Sequence, residues 1–388
     1  MISTHKIVFK NAQKMRALAH ESVDLVVTSP PYPMIEMWDE IFSTQSQRVR
    51  NALKKNDGLF AFEEMHRQLD KVWDELARVL KPGGIACINI GDATRTINEH
   101  FALYTNHSRI LGHMHAIGFT ALPTILWRKQ TNAPNKFMGS GMMPPGAYVT
   151  LEHEYVLILR KGGKRNFFHM DEKKNRWQSA YFWEERNQWF SDVWMDLKGT
   201  TQNLVDNKAR NRSAAFPFEL PYRLINMFSV KGDMVLDPFL GVGTTMFAAM
   251  AAGRNSVGYE IDSHLREFIL PRSTRIVDFA NRRISKRLEA HIEFVRERFQ
   301  KKGRFKYINA QYLFPVITKQ EKELLLNQLE SVSPSEKDGL KVTYGDTPQK
   351  DFIGNWEEYI LSDDDLKKMK QPKGKKKRNV IPKQQQLF

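Results

Sequence analysis

Val235-Leu236-Asp237-Pro238-Phe239-Leu240-Gly241-Val242-Gly243-Thr244-Thr245 is an apolar run, a glycine-bearing turn and the start of a small-residue segment that reaches Ala252 and stops at Gly253. That order predicts strand, tight turn and helix. Glycines let a ligand approach the backbone closely, and a helix start offers N–H groups without intrahelical partners. A second strand is predicted from Ser256 to Tyr259, and Glu260 ends it. An acid at that place can accept the hydroxyls of a ribose, and Asp237 can pair with a cationic amine. The dinucleotide fingerprint is not met, because Thr245-Met246 stands where its third glycine is due. The ligand described in this way has an ammonium group and a ribose and makes no demand for phosphate neutralisation. S-adenosylmethionine fits it better than NAD or ATP.

Upstream, Asp24-Leu25-Val26-Val27-Thr28 reads as a buried strand and runs directly into Ser29-Pro30-Pro31-Tyr32. Two prolines fix φ near −65° and donate no backbone hydrogen bonds, so their carbonyls remain available to accept. The turn presents a hydroxyl (Ser29), carbonyl oxygens and an aromatic face (Tyr32) at the carboxyl end of a strand, where open α/β sheets bind ligands. A planar ring with an exocyclic amine suits it: the ring stacks on Tyr32, and the amine donates to Ser29 and the Pro30 carbonyl.

Around these two segments the chain alternates between apolar runs and amphipathic stretches. A strand is predicted at Ile7-Val8-Phe9 and a helix over 63–80, where Leu69, Val72, Trp73, Leu76, Val79 and Leu80 recur at three- and four-residue spacing. Lys81-Pro82-Gly83-Gly84 stops that helix, and a strand from Ile85 to Ile90 follows. A helix near 104–116 and strands near 121–128 and 154–160 come next. Residues 129–148 read as a long loop, and 161–194 as polar and aromatic without clear periodicity. A helix from 218 to about 229, and a charged helical stretch from 263 to about 301, complete the pattern. Alternation of this kind predicts an α/β fold with a mostly parallel sheet.

With 388 residues, 41% of them apolar, the chain can bury a substantial core. No apolar run is long enough to span a membrane, and no secretory leader is visible. The single cysteine, Cys87, lies on an apolar strand, so it reads as a core residue in a reducing, cytoplasmic setting. The histidines lack metal-ligand spacing beyond His113 and His115, so no metal is expected. Net charge is +15, but nine Lys/Arg between 367 and 383 carry much of it, and the body without them is +6. Charge alone therefore supports a polyanionic partner only weakly.

The two motifs together, in this order, resemble the amino-type DNA methyltransferases, which modify cytosine N4 or adenine N6. Thr28 to Tyr32 is similar to that family's catalytic motif and Asp237 to Thr245 to its methyl-donor motif. With the catalytic motif first, the arrangement resembles the permuted beta group. Lys81-Pro82-Gly83-Gly84, Ile125-Leu126-Trp127-Arg128-Lys129, Glu152-His153-Glu154-Tyr155 and Ala215-Phe216-Pro217-Phe218-Glu219-Leu220 resemble further landmarks. Where the family often has Gly-Asp after its first strand, this chain has Lys10-Asn11, and before Phe216 it has Ser213-Ala214-Ala215 in place of His-Pro.

The resemblance implies a Rossmann-like S-adenosylmethionine-dependent methyltransferase fold. It divides the chain into a catalytic half (1–128), a loop and target-recognition region (129–212, its strand 154–160 belonging to the catalytic sheet) and a donor-binding half (213–275). A helical extension (276–333) and a loosely structured basic tail (334–388), disordered beyond 363, are expected to follow. Ser29, Pro30, Pro31 and Tyr32 are the expected catalytic residues. Asn11, Phe216, Asp237, Pro238, Phe239, Gly241, Gly243, Thr244, Thr245 and Glu260 are the expected donor contacts. Lys164, Arg165, Lys173, Lys174, Arg176 and Trp177 join cations to aromatics, as DNA-backbone contacts and wedges do. The target base is expected to leave the duplex stack. Serine at the first catalytic position resembles the cytosine-N4 enzymes, with adenine N6 as the alternative. Double-stranded DNA and a cognate restriction endonuclease are the expected partners, with the protein a monomer or homodimer. A methyltransferase of RNA or of protein glutamine, a non-catalytic DNA-binding module and a nicotinamide oxidoreductase are the competing readings. Asn-Pro-Pro-Tyr with the donor motif first is commoner in the first of these, the intact motifs disfavour the second, and the missing glycine disfavours the third.

Overall fold

Strand β2 (Val23–Thr28) is buried along its whole length, as a strand covered on both faces must be. A computed structural model describes residues 1–129, 138–199, 216–335 and 338–362. In it β2 lies at the centre of a ten-stranded sheet with β1 (Ile2–Val8), β3 (Leu80–Ile90), β4 (Phe119–Arg128), β5 (His153–Lys161), β6 (Val193–Trp194), β7 (Met234–Asp237), β8 (Asn255–Tyr259), β9 (Leu329–Pro334) and β10 (Gly339–Tyr344). The order is β6-β4-β5-β3-β2-β7-β8-β1-β10-β9. Strands β3, β2, β7, β8 and β1 run parallel; β5 pairs antiparallel with both β3 and β4.

Side chains alternate across this sheet into two cores. Leu25 and Val27 of β2 face one, with α7 (Glu219–Phe228), α8 (Thr244–Ala252) and α10 (Ile276–Lys302). Val26 faces the other, with α3 (Gly58–Val79) and α4 (Asn106–Ala116). The shorter helices are α1 (Asp39–Gln45), α2 (Gln47–Lys54), α5 (Met170–Gln178), α6 (Trp183–Trp189) and α9 (Arg266–Ser273). Cys87 is fully buried in the first core, and burial pushes its thiol far up. Among the described residues no helix is long and apolar enough to cross a membrane.

Three expectations are corrected. Lys81-Pro82-Gly83-Gly84 does not separate helix from strand: α3 ends at Val79, and the segment lies within β3 itself, near its start, where the pairing shifts register between Val23 and Leu25 of β2. The α-helix of the extension after 275 ends at Lys302; short strands, single helical turns such as Lys319–Glu321 and irregular chain follow. The tail is not loose throughout. Leu340, Val342 and Tyr344 are buried on alternate positions of β10, which pairs with β1 and widens the main sheet. Residues 363–388 lie outside the described residues.

Candidate active site

Parallel pairing brings the carboxyl ends of β1, β2, β3, β7 and β8 to one rim, which is where such sheets place ligands. Val235 pairs with Leu25 and Leu236 with Val26. The residues that follow, Asp237-Pro238-Phe239 and Thr28-Ser29-Pro30, therefore meet side by side although some 200 positions separate them (the Thr28–Asp237 contact spans 209). A cleft of about 830 Å³ opens there, and Asn11, Ser29, Pro31, Phe239, Gly241 and Glu260 all line it, as does Pro238. Both sequence motifs thus share one cavity of ligand size.

The glycine turn is built by backbone bonds. Leu240 N donates to Tyr259 O at 2.8 Å and Gly243 N to Leu240 O at 3.0 Å. Gly241 and Gly243 have φ of 54° and 85°, the left-handed region that favours glycine. Gly243 precedes α8, so Thr244 and Thr245 open that helix. A Cβ on Gly241 would meet nothing nearer than 4.0 Å, so the turn's outer side is open to a ligand. Glu260 accepts from Gly241 N and from Asp262 N, each at 2.8 Å. Its burial pushes the carboxyl up to about 7.

Asp237 has a different place from the one expected. It is 3% exposed and does not line the cleft. Its Oδ1 accepts from Thr28 Oγ1 at 2.6 Å and from Phe239 N at 3.0 Å. Burial raises it to about 6. It pins the donor turn to the catalytic strand; it does not reach out to an amine. Thr245 also faces inward, donating to Val27 O at 3.4 Å. Phe216 belongs to the core and lies outside the cleft lining.

Beside Ser29 lies a polar cluster that sequence reasoning did not assemble. Tyr32 Oη donates to Glu154 Oε2 at 2.9 Å and lies 3.0 Å from Ser29 Oγ. Asn89 Nδ2 donates to Tyr32 Oη at 2.8 Å and to Glu154 Oε2 at 2.7 Å; Lys129 Nζ donates to Glu154 Oε1 at 2.9 Å. Burial, and then the negative charge of Glu154, raise the Tyr32 hydroxyl well above its ordinary range. The loop itself is braced from α4: Asn106 Nδ2 donates to Pro33 O at 3.1 Å and to Gly91 O at 2.9 Å. One available signal was Asn89, a polar residue within the apolar run from Ile85 to Ile90.

The expected DNA contacts are elsewhere. Arg165 pairs with Asp233 at 2.6 and 3.0 Å, just before β7 begins. Its guanidinium and that of Arg176 cover Phe167. Asn175 of α5 donates to Lys231 O at 2.8 Å. Lys164, Arg165, Lys173, Lys174, Arg176 and Trp177 thus belong to chain that packs at the amino ends of the parallel strands. The six residues of β2, at about 3.3 Å each, hold that end roughly 20 Å from Ser29. The segment's Trp189 and Trp194 are 1% exposed and serve as core. His113 pairs with Asp70 and Asp74 of α3.

A family profile for DNA methylases matches residues 23–271. The chain belongs to that family. It is 53% identical over 327 residues to the Type II methyltransferase M.MthZI of Methanothermobacter thermautotrophicus, covering 84% of this chain and 91% of the relative. It is 51% identical over 278 residues to M.MjaI of Methanocaldococcus jannaschii, covering 69% and 90%. A crystal structure of a candidate DNA modification methylase from Thermus thermophilus, complexed with S-adenosyl-L-methionine, superposes with a TM-score of 0.55 at 30% identity, over 70% of this chain and 94% of that one.

The cofactor of this methylase is S-adenosyl-L-methionine, and the cleft fits it. Glu260 offers acceptors for ribose hydroxyls, Phe239 and Pro238 offer apolar walls, and the open side of Gly241 leaves room at the turn. Glu260, Asp262 and Glu267 line the same cavity and favour a cation. When bound, the cofactor supplies an electrophilic methyl group on a positively charged sulfur.

Proposed function

We propose that the methylase modifies the exocyclic N4 of a cytosine extruded from a specific duplex sequence, as the modification partner of an endonuclease that reads the same sequence. What carries the reading is Ser29, which lines the donor cleft and whose hydroxyl lies 3.0 Å from Tyr32 Oη. An exocyclic amine is a poor nucleophile because its lone pair is delocalised into the ring. Ser29 and the Pro30 carbonyl accept its two N–H groups, which favours a pyramidal nitrogen and localises the pair. Tyr32 supplies the stacking face. The chain then has to align nitrogen and methyl carbon in line, and holding them roughly 3 to 3.5 Å apart is worth as much as about 7 to 11 kcal/mol. No nucleophilic cysteine is required, in keeping with the burial of Cys87.

A neutral serine in place of an acid or amide supports cytosine over adenine, and the Type II designation of both archaeal relatives supports the restriction–modification setting. Methylation-sensitive sequencing of plasmid from cells that express wild type, Tyr32→Ala or Asp237→Ala tests it. The expected result is N4-methylcytosine at one recurring sequence with wild type, lost in both variants. Methyl groups on adenine N6 would overturn the base assignment. Undiminished modification by both variants would overturn the site.

A further inference from the structure

The polar cluster around Tyr32 joins Ser29 to Glu154 through one phenol oxygen, so the hydrogen-bond direction at one end bears on the other. We propose that Glu154 sets it: Glu154 is a positioning residue that makes Ser29 turn lone pairs, not a proton, toward the extruded base, and it ends the path along which the departing proton travels. The proposal rests on the reading of Ser29 as the group that meets the exocyclic amine.

The direction follows from valence. An ionised carboxylate only accepts. The atom of Asn89 that lies 2.7 Å from Glu154 Oε2 is therefore its amide nitrogen, and the Tyr32 hydroxyl 2.9 Å from the same carboxylate is a donor. The second amide proton of Asn89 goes to Tyr32 Oη at 2.8 Å. The phenol has one proton, and Glu154 holds it. Ser29 Oγ, 3.0 Å from that phenol oxygen, can then only donate to it. Both lone pairs of the serine are left for a partner that donates. Lys129 Nζ, on the other oxygen of Glu154 at 2.9 Å, supplies the counter-charge. Burial keeps Tyr32 in its phenol form.

Two consequences follow. A serine with only lone pairs to offer accepts an amine and repels a carbonyl, so the cluster tells cytosine from uracil at the atom that reacts. The same chain also carries charge away. As the nitrogen pair forms the bond to carbon and the carbon–sulfur pair returns to sulfur, the nitrogen becomes cationic and strongly acidic. Its proton passes to Ser29 Oγ, the serine proton to Tyr32 Oη, and the tyrosine proton to Glu154. Every oxygen but the last again carries a single proton, now pointing the opposite way, and once Glu154 has returned its proton to solvent the two hydroxyls rotate back to their starting direction between turnovers.

The test uses the full-length protein and a duplex carrying the sequence mapped by plasmid sequencing. Single-turnover methylation is measured for wild type, Glu154→Gln, Tyr32→Phe and the double variant, with melting temperature and donor affinity as controls. Glutamine can turn its NH₂ toward the phenol and reverse the chain, so Glu154→Gln is expected to slow transfer about tenfold, the worth of one hydrogen bond, with donor affinity unchanged. Added to Tyr32→Phe it is expected to do nothing more, since Glu154 acts through that hydroxyl. Additive losses, or a wild-type rate in Glu154→Gln, overturn the proposal. A second readout needs no methyl transfer. Donor-free binding is compared for duplexes with cytosine or uracil at the target, each opposite an abasic site so that neither is paired (adenine and hypoxanthine if the mapped base is adenine). Wild type prefers the amine base; both single variants lose the preference. Tyr32→Phe removes one oxygen, so a preference retained there refutes the proposal even if Glu154→Gln does not fold. Absence of methyl transfer by wild type would fault the functional reading instead, and the base preference would still report the direction of the cluster.

Discussion

Acidifying the solution from about pH 8 to about pH 6 is expected to weaken binding of S-adenosyl-L-methionine through Glu260. Burial raises that carboxyl to about 7, so the folded, donor-free protein holds the proton more tightly than an unfolded chain does. The sign follows. Protonated Glu260 favours the folded apoprotein, and this contribution fades as pH rises from the ordinary carboxylate range through about 7. Donor binding runs the other way, because ribose hydroxyls and a cationic ligand favour the carboxylate. With a midpoint near 7, the carboxylate fraction is about one-tenth at pH 6 and about nine-tenths at pH 8, so the dissociation constant should fall about tenfold across that range. Asp262, Lys10, His264 and Glu267 share the cleft, and Asp237 behind it titrates at about 6. Calorimetry across this range on wild type, Glu260→Gln, His264→Gln and Asp237→Asn separates them. Glu260→Gln alone should flatten the slope, and wild type should release about half a proton on binding near pH 7 and close to one near pH 6, read from the dependence of heat on buffer. A flat wild-type profile, or an unchanged slope in Glu260→Gln, would refute the assignment of Glu260 to the donor.

Other perturbations test other parts of the site. A Cβ on Gly91 would lie 3.0 Å from Tyr32 Cε2 and 3.3 Å from Cδ2. Gly91→Ala should therefore shift the ring and lower the rate of methylation while calorimetric donor affinity stays at the wild-type value. Thr28→Val keeps shape but takes the hydroxyl from buried Asp237, and urea unfolding should show a loss of about 1–3 kcal/mol. Gly258→Ala would place a methyl within 2.5–2.8 Å of the Leu240 side chain, so the donor turn should move and donor affinity should drop. Arg165→Ala should lower the melting temperature by exposing Asp233 without its partner, yet leave DNA affinity and its salt slope unaltered. A slope smaller by about one unit would show that Arg165 contacts a phosphate after all.

The fate of these residues shows how far sequence reaches. Strands β2 and β7 were legible because both are short, apolar and end abruptly at polar or proline-rich turns, and burial on two faces demands that composition. The glycine turn and Glu260 were legible for a similar reason: a local backbone need selects the residues, and the need lies within a few positions. Asp237 was found, but its buried partner was not. Its partner depends on which strand lies beside β7, and Thr28 stands 209 positions away. Glu154 shows the same limit more sharply. Nothing near His153-Glu154-Tyr155 announces Tyr32, 122 residues earlier; the antiparallel pairing of β5 with β3, Ile90 against Tyr155 and Asn89 against Val156, creates the neighbourhood. Arg165 and its neighbours show the opposite limit, because cations among aromatics describe a composition and not an end of the sheet. The turn at the end of β5 sends that segment to the amino ends of β2 and β7, where Asp24 and Asp233 take up the charge. In this fold the same parallel sheet that gathers the chemistry at one rim consigns β5's outgoing chain to the other. What a residue can do was therefore readable from its type, and what it does here from the order of the strands.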